Sequence, residues 1–252
     1  MDRLKDKVAI VTGSTSGIGT GIAKMFGAEG ARVVVCGRNE ERGAAVVDAI
    51  AEVGGTAWFH KLDITQPETV DALFADTKEH WGSIDVLVNN AQASASGVTL
   101  ADHTTDQFDL AIYSGLYATF YYMQACYPYL KETKGSVINF ASGAGLFGNL
   151  GQCAYAAAKE GIRGLTRVAA TEWGPDGINV NVVCPLAWTA ALENFQEAYP
   201  DAFTANVHMP PMGHYGNVET EIGRVVVQLA SPDFKFMSGE TLTLEGGMGL
   251  RP

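Results

Sequence analysis

A glycine-rich turn set between a short apolar run and a helix constrains this chain more than any other feature. Lys7-Val-Ala-Ile-Val-Thr12 is almost wholly apolar, as a parallel strand covered on both faces must be. Gly13-Ser14-Thr15-Ser16-Gly17-Ile18-Gly19 follows at once, then a helix that closes at Gly30 and a second strand, Ala31-Arg-Val-Val-Val-Cys36. Strand, turn, helix and strand within about thirty residues make a βαβ unit. Glycines at that turn let backbone approach a pyrophosphate, and the helix start offers free N–H groups and a positive dipole end. Tight packing is the plainer reading of such glycines; their place between strand and helix meets the condition for a ligand site.

The residues after the second strand bear on which dinucleotide fits, because a carboxylate there would accept a bond from the adenosine ribose 2′-hydroxyl. The chain has Gly37-Arg38-Asn39 instead. A guanidinium without an acid beside it suits a 2′-phosphate, which predicts NADP(H) over NAD(H); the alternative is a solvated arginine at a strand end.

The alternation continues along the chain. Helices are expected over residues 40–53, after Pro67, over 105–131 and around Tyr155, with strands at Thr56–His60, Ile84–Val88, Ser136–Phe140, Ile178–Val183 and Thr241–Leu244. This pattern predicts an α/β fold: one domain over residues 1–252, a Rossmann-type doubly wound parallel sheet of about seven strands with helices on both faces. Asp63-Ile64 and Asn89-Asn90-Ala91 then fall at carboxyl ends of strands, where open α/β sheets bind ligands. Residues 186–216 break the periodicity while carrying Trp188, Phe195, Tyr199, Phe203, Met209, Met212 and Tyr215, which predicts a substrate lid or, failing that, a subunit contact.

Charge narrows the partners. Seventeen Lys and Arg against twenty-eight Asp and Glu give −11, which argues against nucleic acid and anionic membrane, since both require clustered positive charge. Cys36, Cys126, Cys153 and Cys184 stand singly, without zinc-like spacing, and read as reduced thiols; no metal site is expected. The first residues form no leader and no apolar run reaches membrane-spanning length, so a cytoplasmic protein is expected.

Chemistry enters with Tyr155-Ala156-Ala157-Ala158-Lys159. Residues four apart share a helix face, so a phenol and an ammonium lie side by side. The cation favours the phenolate and brings the phenol down from about 10, as a general acid or base near neutrality requires. Ser142 adds a hydroxyl from the end of the Ser136–Phe140 run. An ordinary amphipathic helix with a loop serine is the competing reading.

Together these residues resemble the short-chain dehydrogenase/reductase family: Thr12-Gly13-x-x-x-Gly17-Ile18-Gly19, Asp63, Asn89-Asn90-Ala91, Ser142, Tyr155-x-x-x-Lys159 and Gly239-Glu-Thr-Leu-Thr-Leu-Glu-Gly246-Gly247, in the family's order over nearly the whole chain. The resemblance implies an NADP(H)-dependent carbonyl reductase, or a member similar to the 3-oxoacyl reductases. Tyr155 would protonate the carbonyl oxygen, Ser142 would hold that oxygen, and Lys159 would bind the nicotinamide ribose and lower the tyrosine pKa. Gly13 to Gly19, Arg38, Asn39, Asp63, Ile64, Asn90, Ala91, Pro185 and Thr189 would border the cofactor. Gln92, Leu146, Phe147, Leu186 and Trp188 would join Ser142 around an apolar, fairly bulky substrate such as a cyclic or steroid-like ketone. A homo-oligomer, a tetramer, is implied too, with helices 105–131 and 152–174 in contact through Tyr117, Phe120, Tyr121, Met123, Ala157 and Leu165.

Departures from the family pattern gather at the reactive end. Gln92 stands where the family has glycine, Gly115 where it has a catalytic asparagine that holds a water of the proton relay, and Leu186 where it has glycine; Thr189 comes one position early. Water bonded to backbone carbonyls bared by a kink at Gly115, with Ser114 as a further partner, is expected to carry the relay. Two other functions stay open: a hydride-independent dehalogenase or epoxide enzyme on the same fold, and a non-catalytic dinucleotide-binding subunit.

Overall fold

In the computed structural model, residues 2–64, 66–198 and 200–249 are described. Seven strands form one parallel sheet in the order β3-β2-β1-β4-β5-β6-β7: β1 (Val8–Val11), β2 (Arg32–Gly37), β3 (Thr56–Lys61), β4 (Val86–Asn89), β5 (Ser136–Phe140), β6 (Asn179–Pro185) and β7 (Thr241–Leu244). Strand-to-strand crossovers reverse direction between β1 and β4, and this opens a crevice at their carboxyl ends.

Alternate side chains of each strand point to opposite faces, so each strand feeds two cores. Ala9, Val11, Val33 and Val35 pack with Ile22 and Phe26 of α1 (Gly17–Ala28), Ile50 of α2 (Glu40–Glu52) and Val226 of α10 (Arg224–Ala230). Ile10, Val34, Leu87 and Val137 pack on the other side with Phe74 of α3 (Val70–Trp81), Tyr122 and Leu130 of α5 (Ala118–Thr133) and Ala169 of α7 (Cys153–Trp173). The expected single-domain, doubly wound architecture is present.

One expected helix is divided. Residues 105–131 were expected to run as a single α-helix; instead α4 (Thr105–Ala111) passes through a π-turn (Ile112–Tyr117) before α5 resumes. Gly115 lies in that turn, and π segments of this kind recur at functional sites. The first strand of the crevice, β1, is reached by the Lys7–Asp85 ion pair at 2.9 Å, with Asp85 also accepting from the Val8 backbone N–H.

The segment over 186–216 contains α8 (Ala190–Ala198) and α9 (Pro200–Asn206) between its two ends. Those ends meet: the Gly216 N–H donates to the Leu186 carbonyl at 3.0 Å, and the Trp188 N–H donates to Gly216 at 3.3 Å. Among the described residues no helix is long and apolar enough to cross a membrane, and no His, Cys, Asp and Glu grouping could hold a metal ion.

Candidate active site

A cavity of about 700 Å³ occupies the crevice. Its floor is the β1–α1 turn, where Gly13, Thr15, Ser16, Gly17 and Ile18 face the space. Ser16 precedes α1 without capping it through its side chain, so the first N–H groups of that helix are left toward the cavity. Gly17 takes φ +55°, a conformation costly to other residues, and a Cβ at Gly19 would stand 2.4 Å from the Gly13 carbonyl oxygen. Asn90 secures the turn from β4 by donating through Nδ2 to the Thr12 carbonyl at 3.0 Å. A cradle of this shape fits a pyrophosphate.

At one end Arg38 and Arg42 border the cavity together with Asp63 and Ile64. Arg42 escaped the sequence reading. It sits in the first turn of α2, and only the folding of that turn brings it back beside Arg38. Asn39, expected among the ligand contacts, instead caps α2: its Oδ1 accepts from the Arg42 N–H at 2.8 Å. Ser14 does not face the cavity either. Its fully buried hydroxyl donates to the Val11 carbonyl at 2.7 Å and accepts from the Cys36 N–H at 2.9 Å, which ties β1 to β2.

At the other end Ala91, Gln92, Ser114, Tyr155, Lys159, Pro185 and Thr189 converge, joined by Asn194 of α8, a residue the sequence gave no reason to single out. Lys159 is buried, donates to the Phe140 carbonyl at 2.7 Å, and carries its ammonium 5.3 Å from the centroid of the Tyr155 ring. Burial holds Lys159 down to about 7. Burial also pushes the Tyr155 phenol up, against the hydrogen bond of the Ser142 hydroxyl, which pulls it down. The expected lowering of the phenol by the lysine is not what this site displays. The charge lies over the ring face, and its own burial weakens it.

Ser142 caps α6 (Gly143–Phe147), accepting from the Ala144 N–H at 3.1 Å, and thus presents its hydroxyl at the carboxyl end of β5. Leu146 turns inward against Ile162 and Cys184, whereas Phe147 is half exposed. Leu186 contributes through backbone, its N–H donating to the Leu244 carbonyl at 2.9 Å. Trp188 donates to Glu193 at 2.7 Å and meets Phe203 and Tyr215 edge-on. Ser142, Leu146, Phe147, Leu186 and Trp188 do not border the cavity itself; Ser142 reaches it through its hydrogen bond to Tyr155. Tyr199 lies outside the described residues.

The two departures at Gln92 and Gly115 are one arrangement. A Cβ at Gly115 would stand 2.6 Å from the Gln92 amide carbon, so the glutamine side chain occupies the space beside the π-turn. Ser114, expected to help relay protons, is fully buried and committed: its hydroxyl accepts from the Ala93 N–H at 3.0 Å and lies 2.9 Å from the Ala93 carbonyl and 2.5 Å from the Leu110 carbonyl.

Comparison with known proteins agrees with this geometry. Residues 13–249 match the family model described as Enoyl-(Acyl carrier protein) reductase. The chain is 61% identical over 260 residues to a 12alpha-hydroxysteroid dehydrogenase from Clostridium sp., covering 98% of each protein. It is 39% identical over 185 residues to a 3beta-hydroxysteroid dehydrogenase from Mediterraneibacter gnavus, over 73% of this chain and 67% of the other. A crystal structure described as that of a short-chain alcohol dehydrogenase from Sinorhizobium meliloti superposes with a TM-score of 0.89 at 29% identity, over 96% of both chains. The chain belongs to the short-chain dehydrogenase/reductase family. It is therefore an oxidoreductase of the class that binds a nicotinamide dinucleotide.

Proposed function

We propose that the protein is an NADP(H)-dependent hydroxysteroid dehydrogenase that interconverts a steroid 12α-hydroxyl group and the corresponding ketone. The observation that carries this reading is the end-to-end 61% identity to the Clostridium 12alpha-hydroxysteroid dehydrogenase. NADP(H) rests on Arg38 and Arg42, two guanidinium groups at the adenosine end of the cavity in a chain of net charge −11.

Gly13, Thr15, Ser16, Gly17 and Ile18 would hold the pyrophosphate at the start of α1, Asp63 and Ile64 the adenine, and Asn90, Ala91, Pro185 and Thr189 the nicotinamide half. A nicotinamide dinucleotide held by these residues would supply the hydride chemistry that links the carbinol and the carbonyl. Tyr155 moves the accompanying proton: its phenol gives a proton to the carbonyl oxygen in reduction, and its phenolate takes the hydroxyl proton in oxidation. The Ser142 hydroxyl donates to the same oxygen and stabilises the charge that develops there. Lys159 brings positive charge over the Tyr155 ring when protonated. The apolar side chains of residues 186–216 would close over the steroid as a lid.

The intact cradle of Gly13, Gly17 and Gly19 speaks against hydride-independent epoxide chemistry, and Tyr155, Lys159 and Ser142 meeting in one place speaks against a purely structural subunit. We take the protein to be a cytoplasmic homo-oligomer. The test is spectrophotometric: a 12α-hydroxysteroid with NADP⁺ and with NAD⁺, and 3β- and 7α-hydroxysteroids alongside. Turnover confined to the 12α-alcohol with NADP⁺ is expected; activity on all three positions alike would remove the assignment.

A further inference from the structure

A row of polar side chains starts one helical turn from Tyr155. Gln152 is the N-cap of α7 and Tyr155 its third residue, positions that share one edge of the first turn. The Gln152 amide is not spent on capping the helix. Its Oε1 accepts instead from the Ser96 hydroxyl at 3.2 Å, and the Ser94 and Ser96 hydroxyls stand 3.4 Å apart. Among the described residues the Gln152 Nε2 donates to no protein acceptor. Backbone fixes the row: the Gly97 N–H donates to the Gly151 carbonyl at 2.9 Å, and Val98 forms a β-bridge with Gln152. A Cβ on Gly151, which takes φ +71°, would stand 3.0 Å from the Gly97 Cα, so the two loops touch. The row is continuous with the cavity, whose wall includes Gln92 and Ala93, directly before Ser94, and Tyr155 at the other end.

Resting on the dehydrogenase reading above, we propose that Gln152 and Ser96 are specificity-determining residues. They bind a second hydroxyl that projects from the same face of the steroid as the reacting one, so the preferred substrate is a polyhydroxylated steroid. Donors and acceptors match: the Gln152 Nε2 donates to the second hydroxyl, and that hydroxyl donates to the Ser96 oxygen, which keeps lone pairs after its own proton goes to Gln152. The spacing matches as well. Gln152 and Tyr155 are about 4.5 Å apart along the helix axis, and axial hydroxyls at C7 and C12 on the α face of a steroid are parallel at a comparable separation. The 186–216 segment offers mainly hydrocarbon through Trp188, Phe203, Met209 and Met212, so this row is the part of the mouth that can read a pattern of oxygens.

The experiment measures kcat/KM for three steroids: a 12α-monohydroxysteroid, its 7α,12α-dihydroxy congener and the 7β,12α epimer, whose second hydroxyl points to the opposite face. In wild type the 7α,12α-diol should lead the monohydroxysteroid by about tenfold, chiefly through KM, and the 7β epimer should gain nothing. Gln152→Leu and Ser96→Ala should each bring the ratio of diol to monohydroxysteroid close to one, and Ser96→Thr, which keeps the hydroxyl, should retain it. A loosened loop would slow all three steroids alike and leave their ratio unchanged. Equal values for the three in wild type, or a 7α advantage that survives both Gln152→Leu and Ser96→Ala, would overturn the proposal.

A second readout separates this proposal from the reaction assignment. Equilibrium dialysis of the same three steroids is done with NADPH present, a reduced cofactor that cannot oxidise an alcohol. The 7α,12α-diol should bind about tenfold more tightly than the other two in wild type and no more tightly in Gln152→Leu. If no steroid is oxidised at C12, the dehydrogenase reading fails by itself, and dialysis still decides the row. Equal dissociation constants for diol and monohydroxysteroid in wild type would refute it.

Discussion

Lys159 addresses Tyr155 through the face of its ring: the ammonium stands 5.3 Å from the ring centroid while donating to the Phe140 carbonyl at 2.7 Å. The lysine is thus tied to β5 as well as to its own helix. Removing the phenol oxygen leaves that contact in place. Tyr155→Phe should therefore cut kcat by about a hundredfold or more while dinucleotide affinity, read by fluorescence titration, stays near wild type. Most of the activity surviving would exclude Tyr155 as the proton carrier.

Lys159 predicts a pH dependence of stability in the unliganded protein. Its pKa is held at about 7 against an ordinary value of 10.5. Between those values the unfolded chain carries a proton that the folded chain has released, so stability rises with pH across that window, and below it the cost of the buried charge is undiminished. The urea midpoint of wild type minus that of Lys159→Met should increase from about pH 6 to about pH 9. A flat difference would mean that the lysine is as solvated folded as unfolded.

The two arginines at the adenosine end predict cofactor choice. Arg38→Glu should erase or invert the preference for NADP(H), and Arg42→Ala should weaken NADPH binding by about tenfold while leaving NADH nearly unaffected. Isothermal titration with both dinucleotides decides it, and equal affinities in the unmutated protein would end the assignment.

Gly19 predicts a packing limit. An added Cβ would meet the Gly13 carbonyl oxygen at 2.4 Å, an approach that only movement of the turn can relieve. Gly19→Ala should cost about 1–3 kcal/mol of stability and most of the dinucleotide affinity. An unchanged melting temperature with unchanged binding would show that the turn yields freely.

The aromatic stripe beside the π-turn predicts association. Tyr113, Tyr117 and Phe120 are exposed, and Tyr117 stacks on Tyr113 at 5.1 Å between ring centroids. A dimer or tetramer should appear by light scattering at micromolar concentration, and Tyr117→Glu should reduce it. Monomer alone in the wild type would contradict the expectation. Met123, which the sequence placed on this contact, is buried in the core against the sheet and takes no part.

The fold was legible because each βαβ unit carries its own punctuation: apolar runs for buried strands and glycine where chain and ligand must come close. The cavity's two ends were legible unequally. Arg38 announces itself by following a strand, but Arg42 and Asn194 are helix residues whose relevance exists only once those helices dock. Ser14 and Asn39 misled for the opposite reason, since short polar side chains beside a turn satisfy local backbone as readily as a ligand. Gln92 and Gly115 looked like two separate losses. They lie 23 positions apart in sequence, and only in space does one side chain fill the other's absence.

The Leu186–Gly216 clasp also sets how this enzyme can diversify. Both ends of that excursion are fastened to each other, and Leu186 is fastened to β7 as well. Whatever the intervening thirty or so residues do, the strands that carry Ser142 and the helix that carries Tyr155 and Lys159 keep their registers. Insertions or deletions in the part of the excursion beyond Asn194, outside the residues that border the cavity, should therefore leave those registers untouched, like a jaw changed on a fixed vice.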